Sequence, residues 1–157
     1  MQSKKRVADS ITHHAELIML QHINGQQRLF GGVLMQWIDV VAAVTARRHS
    51  GCNVVTASVD NLNFKSGANI NDTLILEGKI TYVGKTSMEV RVDTFVEKLN
   101  GERKEINRAY FVMVALDENK NPTKVPGLII ETEEEREEFE AGRKRYELRK
   151  LRKKENY

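Results

Sequence analysis

Cysteine is almost missing from this chain. Cys52 stands alone among 157 residues, so no intramolecular disulfide and no cysteine-rich zinc site can form. No stretch approaches the roughly 18–20 consecutive apolar residues that a bilayer-spanning helix needs. The first eight residues are polar and basic with no apolar run behind them, which argues against a secretory leader. Charge of one sign is not in large excess either. The net value is +3, too modest to imply nucleic acid, although a small polyanion such as a nucleotide phosphate could be attracted. The reading is a cytoplasmic protein of about one domain's length.

Apolar residues are present in patterns. Residues 10–20 carry Ile11, Leu17, Ile18 and Leu20, enough for a first strand, and Asn24-Gly25 marks a turn. Residues 33–46 form a long apolar run, rich in alanine and free of proline and internal glycine, which predicts a helix. Arg47, Arg48 and His49 suit its negative C-terminal end, and Ser50-Gly51 stops it. The run is apolar nearly all round, so this helix is central rather than peripheral.

Strands follow at residues 54–64, with a phase slip near Asp60-Asn61 that predicts a bulge. Residues 73–83 and 86–99 flank Gly84-Lys85, and Asn100-Gly101 turns into residues 106–116. The order β-α-β-β-β-β, one helix segregated from antiparallel strands, is an α+β domain. After Val125-Pro126 the pattern changes: residues 131–140 are acidic and residues 143–154 basic. That stretch reads as a solvated or frayed helix with opposite-sign pairs such as Glu140–Lys144.

Asp39 is the residue that calls for chemistry. It lies between Trp37-Ile38 and Val40-Val41, where an unpaired carboxylate either occupies an exposed stripe with Gln36 and Ala43 or is held at an interface as base or nucleophile. Gly31-Gly32 at the helix start let a backbone approach closely, and first-turn amides can stabilise an oxyanion. Gly84-Lys85-Thr86-Ser87 is no P-loop, because Lys79 stands where that motif needs glycine and both flanks are strands. His13-His14 and His22 lack a second ligand cluster, and no arrangement points to Cys52 as nucleophile.

The run from Asn24 through Phe30-Gly31-Gly32 to Asp39 resembles the signature of the acyl-CoA thioesterase branch of the hotdog superfamily. The resemblance continues through Val55-Thr56-Ala57-Ser58-Val59-Asp60, Phe64, Gly84-Lys85-Thr86-Ser87-Met88 and Ala109-Tyr110-Phe111, and covers residues 7–128. It departs from the family at His22-Ile23, where many relatives have Asp-Thr, and at Gly67, where many have proline.

The resemblance implies a hotdog fold of about five strands wrapped on a central helix, with residues 129–157 as a charged helical tail. It implies hydrolysis of acyl-CoA without a cofactor or metal. Asp39 is then general base or nucleophile, Asn24 places water or substrate, and the Gly32 amide polarises the carbonyl. Phe30, Gly31, Thr56, Ser58, Lys85, Thr86, Ser87 and Arg47 are candidate substrate contacts, with Arg28, Arg48 and Arg108 as weaker ones. The family builds its site across a subunit interface, joins hotdogs by their sheets and commonly forms trimers of dimers. Two other readings stay open: a non-catalytic acyl-CoA- or RNA-binding module, and a hydroxyacyl-thioester dehydratase, disfavoured because Trp37 stands where that group has its acid.

Overall fold

The computed structural model describes residues 3–157. The strands β2 (Thr12–Leu17), β3 (Asn53–Phe64), β4 (Thr73–Val83), β5 (Ser87–Glu97) and β6 (Arg103–Leu116) form one antiparallel sheet in the order β2-β4-β5-β6-β3. Helix α1 (Gly31–Ser50) lies against one face, and helix α2 (Glu133–Glu155) against the other. The hotdog arrangement read from the sequence is therefore present.

Alternation along the strands explains the two layers. Leu74, Leu76 and Ile80 of β4 and Met88, Val90 and Val92 of β5 face α1 and are buried, meeting Leu34, Ile38, Val41 and Ala42. Gly78 brings the helix down onto β4: a Cβ there would stand 2.6 Å from Thr45 Oγ1 and 2.8 Å from Val41 Cγ1. The helix ends at Gly51, whose φ of 70° takes the left-handed conformation while its amide donates to the Arg47 carbonyl.

The opposite face of β5 is also buried, but it is charged. Glu89, Arg91 and Asp93 are each at most 7% exposed. Arg145 of α2 donates to both Glu89 oxygens at 2.8 Å, Thr81 adds a third bond at 2.7 Å, and Arg149 pairs with Asp60 at 2.7 Å. Burial alone would lower the Arg145 guanidinium, but Glu89 outweighs it and holds the group above its ordinary value. Gly142 lets the helix pass at this point, since a Cβ there would lie 2.6 Å from Tyr82 Cβ. The tail is thus helical as expected, yet docked rather than merely solvated.

Two short strands lie outside the sequence reading. β1 (Lys5–Arg6) and β7 (Leu128–Ile129) pair in parallel and join the two ends of the sheet domain. Above them the buried His49 ring bonds to the Pro126 carbonyl at 2.9 Å through Nε2. Nε2 is therefore the protonated nitrogen, and Nδ1 is buried without a partner among the described residues.

Two expectations follow. Arg145→Ala strands the Glu89 charge and should cost about 3–5 kcal/mol of unfolding free energy in urea, whereas Glu89→Gln with Arg145→Met should lose less. Burial lowers the His49 pKa, so the unfolded chain takes up the proton first. Stability contributed by neutral His49 is complete above about pH 6.5 and drains away as pH falls below it, by up to about 1.4 kcal/mol per pH unit. Titrated between pH 7 and 5, His49→Gln should show a flatter stability profile than the parent.

Candidate active site

Helix α1 begins without a side-chain cap. Phe30 is its N-cap residue in extended conformation, and the first amides bonded back to the Phe30 carbonyl are those of Val33 and Leu34. The amides of Gly31 and Gly32 have no acceptor among the described residues, at the end of the helix where the dipole is positive. The Phe30 ring lies over Gly32, so a Cβ there would come within 2.8 Å of it, and Phe64 flanks Gly31. Seven residues on, nearly two full turns, Asp39 shares the face of Gly32, about 10 Å further along the axis. That gap accommodates a carbonyl group and a water.

The Asp39 carboxylate is partly buried and oriented from β3. Thr56 Oγ1 donates to Asp39 Oδ1 at 2.5 Å and lies 3.5 Å from the sulfur of the buried Met113. Asp39 Oδ2 makes no hydrogen bond to another side chain among the described residues. Around Asp39 runs the stripe of α1 that a single chain leaves open, with Met35 39% and Val40 53% exposed. Asp39 therefore sits on the exposed stripe allowed by the sequence pattern, at a place where β3 holds it.

Asn24 belongs to a tight loop before the helix. Its Oδ1 accepts from the amides of Gln26 and Arg28 at 2.8 and 3.3 Å, and its own amide donates to the Arg28 carbonyl. The side-chain oxygen is committed to the loop, so the NH2 group is the part of Asn24 free to act, as a donor. Asn24 and Asp39 share no hydrogen bond within the chain. His22, one of the departures from the family pattern, packs edge-on against Trp37 and accepts from the Met19 amide through Nδ1.

The remaining candidates separate. The expected slip near Asp60-Asn61 is present, with Asn61 at φ 54°, but β3 also shifts register between Thr56 and Ser58. That second bulge puts Ser58 on the α2 side of the sheet, with Ser87, while Thr56 faces α1. Lys85 and Thr86 form the β4–β5 turn, their carbonyls accepting from Val125 and Ala115. Arg47 lies at the far end of α1, about 22 Å along the axis from Gly32. Arg108 pairs with Asp93 and Glu105, and Arg48 bonds to the Ile11 carbonyl. Tyr146, Lys150 and Lys153 of α2, which line a pocket with Ser58 and Ser87, were not candidates from the sequence. A run of basic residues at a helix C-terminus carries no mark that separates a docked end from a solvated one.

A family profile described as the thioesterase superfamily matches residues 26–101. The chain is 42% identical to the uncharacterized acyl-CoA thioester hydrolase YkhA of Bacillus subtilis over 71% of its length and 66% of that protein. The matched segment covers 31% of the mammalian cytosolic acyl coenzyme A thioester hydrolases. Among solved structures, an apo-hexameric acyl-CoA thioesterase superposes with a TM-score of 0.90 at 40% identity, covering 96% of this chain and 97% of that one. The acyl-CoA hydrolase of Staphylococcus aureus, in complex with butyryl coenzyme A, coenzyme A and coenzyme A disulfide, gives 0.91 at 33% identity, covering 98% and 94%. Alanine variants of that enzyme at an asparagine, an aspartate and a threonine are also similar, and those three positions stand 15 and then 17 residues apart.

Proposed function

We propose that this chain, which belongs to the thioesterase superfamily, hydrolyses acyl-CoA thioesters to a carboxylic acid and free CoA. The observation that carries the reading is the pairing, on one face of α1, of two unengaged amides with a carboxylate oriented by Thr56. Asn24, Asp39 and Thr56 also stand at the same two separations as the residues replaced in the Staphylococcus aureus enzyme.

The thioester carbonyl binds at the Gly32 amide, where the helix dipole favours the negative charge that develops on its oxygen. Asp39 Oδ2 accepts a proton from a water, which adds to the carbonyl carbon. Thr56 keeps Oδ1 occupied, so one oxygen faces the reaction. The tetrahedral intermediate collapses by breaking the carbon–sulfur bond, and the departing thiolate takes up the proton. The free NH2 of Asn24 donates to the water or the carbonyl. No cofactor or metal is required by this chemistry, and the reading places the protein in the cytoplasm.

The site is completed between chains. β3 is an edge strand, with Val55 47% exposed beside the open stripe of α1. Two copies joined through β3 cover these residues and bring the Asn24 loop of one against Asp39 of the other. Three such pairs make the trimer of dimers, a reading supported by the hexameric assembly of the similar thioesterase.

Asp39→Ala should lower kcat by about 10²–10⁴, read as free-thiol release from acyl-CoAs of two to sixteen carbons. Normal turnover by the folded variant would remove the proposal. Single turnover in oxygen-18 water should leave the Asp39 carboxylate unlabelled, and label in it would replace general-base action by direct attack. Thr56→Val should lower kcat about tenfold with little change in KM, because a hydrogen bond to a charged group is lost. Thr56→Ser should recover most of that loss.

A further inference from the structure

Asn24 lies in an exposed loop, and in the proposed site it acts beside Asp39 of a neighbouring copy. Its placement therefore has to come from its own chain. Ile23 and Leu29 form an antiparallel bridge, the Asn24 amide donates to the Arg28 carbonyl at 2.8 Å, and the Leu29 amide donates to the Ala68 carbonyl. At the foot of this loop stand His22 and Phe30, joined by a 2.8 Å bond from the Phe30 amide to the His22 carbonyl. Phe30 is the N-cap of α1, so loop and helix start meet at one peptide.

The His22 side chain adds two further contacts at that junction. It closes a short 3-10 turn, Leu20–His22, in which the His22 amide donates to the Met19 carbonyl at 2.9 Å. The Met19 amide returns a bond to His22 Nδ1, also at 2.9 Å. Nδ1 is therefore unprotonated, and the ring works as an acceptor. The ring meets Trp37 of α1 edge-on, with centroids 4.9 Å apart and planes at 77°. Trp37 belongs to the core, so the ring rests on a fixed support. The other side of the turn is fixed as well: Ile18 is fully buried, donates to the Asp72 carbonyl and accepts from the Asn71 amide. An imidazole that only filled space against Trp37 would leave the Met19 amide to water. Here one side chain ties the end of a buried segment to the helix that opens the site. The chain departs from the family pattern at this position, so the contact is not one that the resemblance implies.

We infer that His22 is a positioning residue for Asn24: Nδ1, held by the Met19 amide, sets where the Asn24 NH2 group stands, and the ring is braced on Trp37. The inference rests on the thioesterase reading for what Asn24 does there. A displaced donor costs rate more than affinity, because a misplacement of about 1 Å can remove up to about a hundredfold of it.

Two variants separate the contacts. His22→Asn puts an Oδ1 where Nδ1 stood and keeps the acceptor, whereas His22→Phe keeps a ring on Trp37 and removes the acceptor. With a short-chain acyl-CoA, His22→Phe should lower kcat about tenfold with KM changed less than about twofold. His22→Asn should return kcat to within about threefold of the parent. A normal kcat in His22→Phe, or equal losses in both variants, overturns the assignment. In an Asn24→Ala background His22→Phe should lower kcat by less than about a further twofold, because the group it acts through is already gone. A full loss in that background means that His22 does not act through Asn24. Hydrogen exchange over residues 19–30 of the assembled protein, read by mass spectrometry, is independent of turnover. It should quicken in His22→Phe and stay as in the parent in His22→Asn, with the strands unaffected. Exchange that quickens across the strands too makes the role one of general stability and overturns the inference. Exchange unchanged in both variants overturns it while leaving the thioesterase reading intact. Quickened exchange confined to the loop, in a protein that hydrolyses no acyl-CoA, would keep His22 as the loop's anchor and remove the thioesterase reading.

Discussion

A single carboxylate in the middle of the sheet dictates how the chain must close. Glu89 points away from α1, is withdrawn from water, and meets its countercharge on residues 56 and 60 positions later. Were α2 absent, β5 would present a hydroxyl-bonded but uncompensated anion beside Arg91 and Asp93. An apolar seam could hold a helix at least as firmly, but it would tolerate sliding. This ionic seam favours one register, because a one-turn shift that set Arg149 on Glu89 would take it from Asp60 and would carry Gly142 away from its close approach to Tyr82. The register that satisfies Glu89 also carries Lys150 and Lys153 to the edge strand.

Helix α1 meets the opposite difficulty. Its apolar surface is wider than one sheet can cover, and the leftover stripe is where Asp39 stands. A carboxylate deep under the sheet would be out of reach of substrate, and one on a polar surface would have nothing to orient it. The stripe provides both access and Thr56. In the proposed pairing, a second copy over the stripe would remove competing water from the same place and strengthen each electrostatic contact there.

Much of this is legible in the sequence alone. The helix, the hairpin at Gly84-Lys85, the meander and the opposition of Gly31-Gly32 to Asp39 follow from local patterns of period 3.6 or 2. What escaped depends on contacts distant in sequence. The pairing of Lys5 with Leu128 involves two residues on each side, too few for a periodic signal. The bulge after Thr56 leaves no turn residue to announce it, and it alone divides Thr56 from Ser58. The docked face of α2 is made of arginines with Phe139, Tyr146 and Gly142, two aromatics too few among so many charges to mark a buried face. Only the matching anions on β3 and β5 reveal them as an interior.

The parallel pair β1 and β7 has a mechanical meaning. It fastens the chain's entry into the sheet domain to its exit, just three residues before the first turn of α2 begins. Tension on the C-terminus would reach this rivet after peeling the helix. While the helix peels, the pull reaches the sheet only through its ion pairs to Asp60 and Glu89, and once they part it falls on the β1–β7 post.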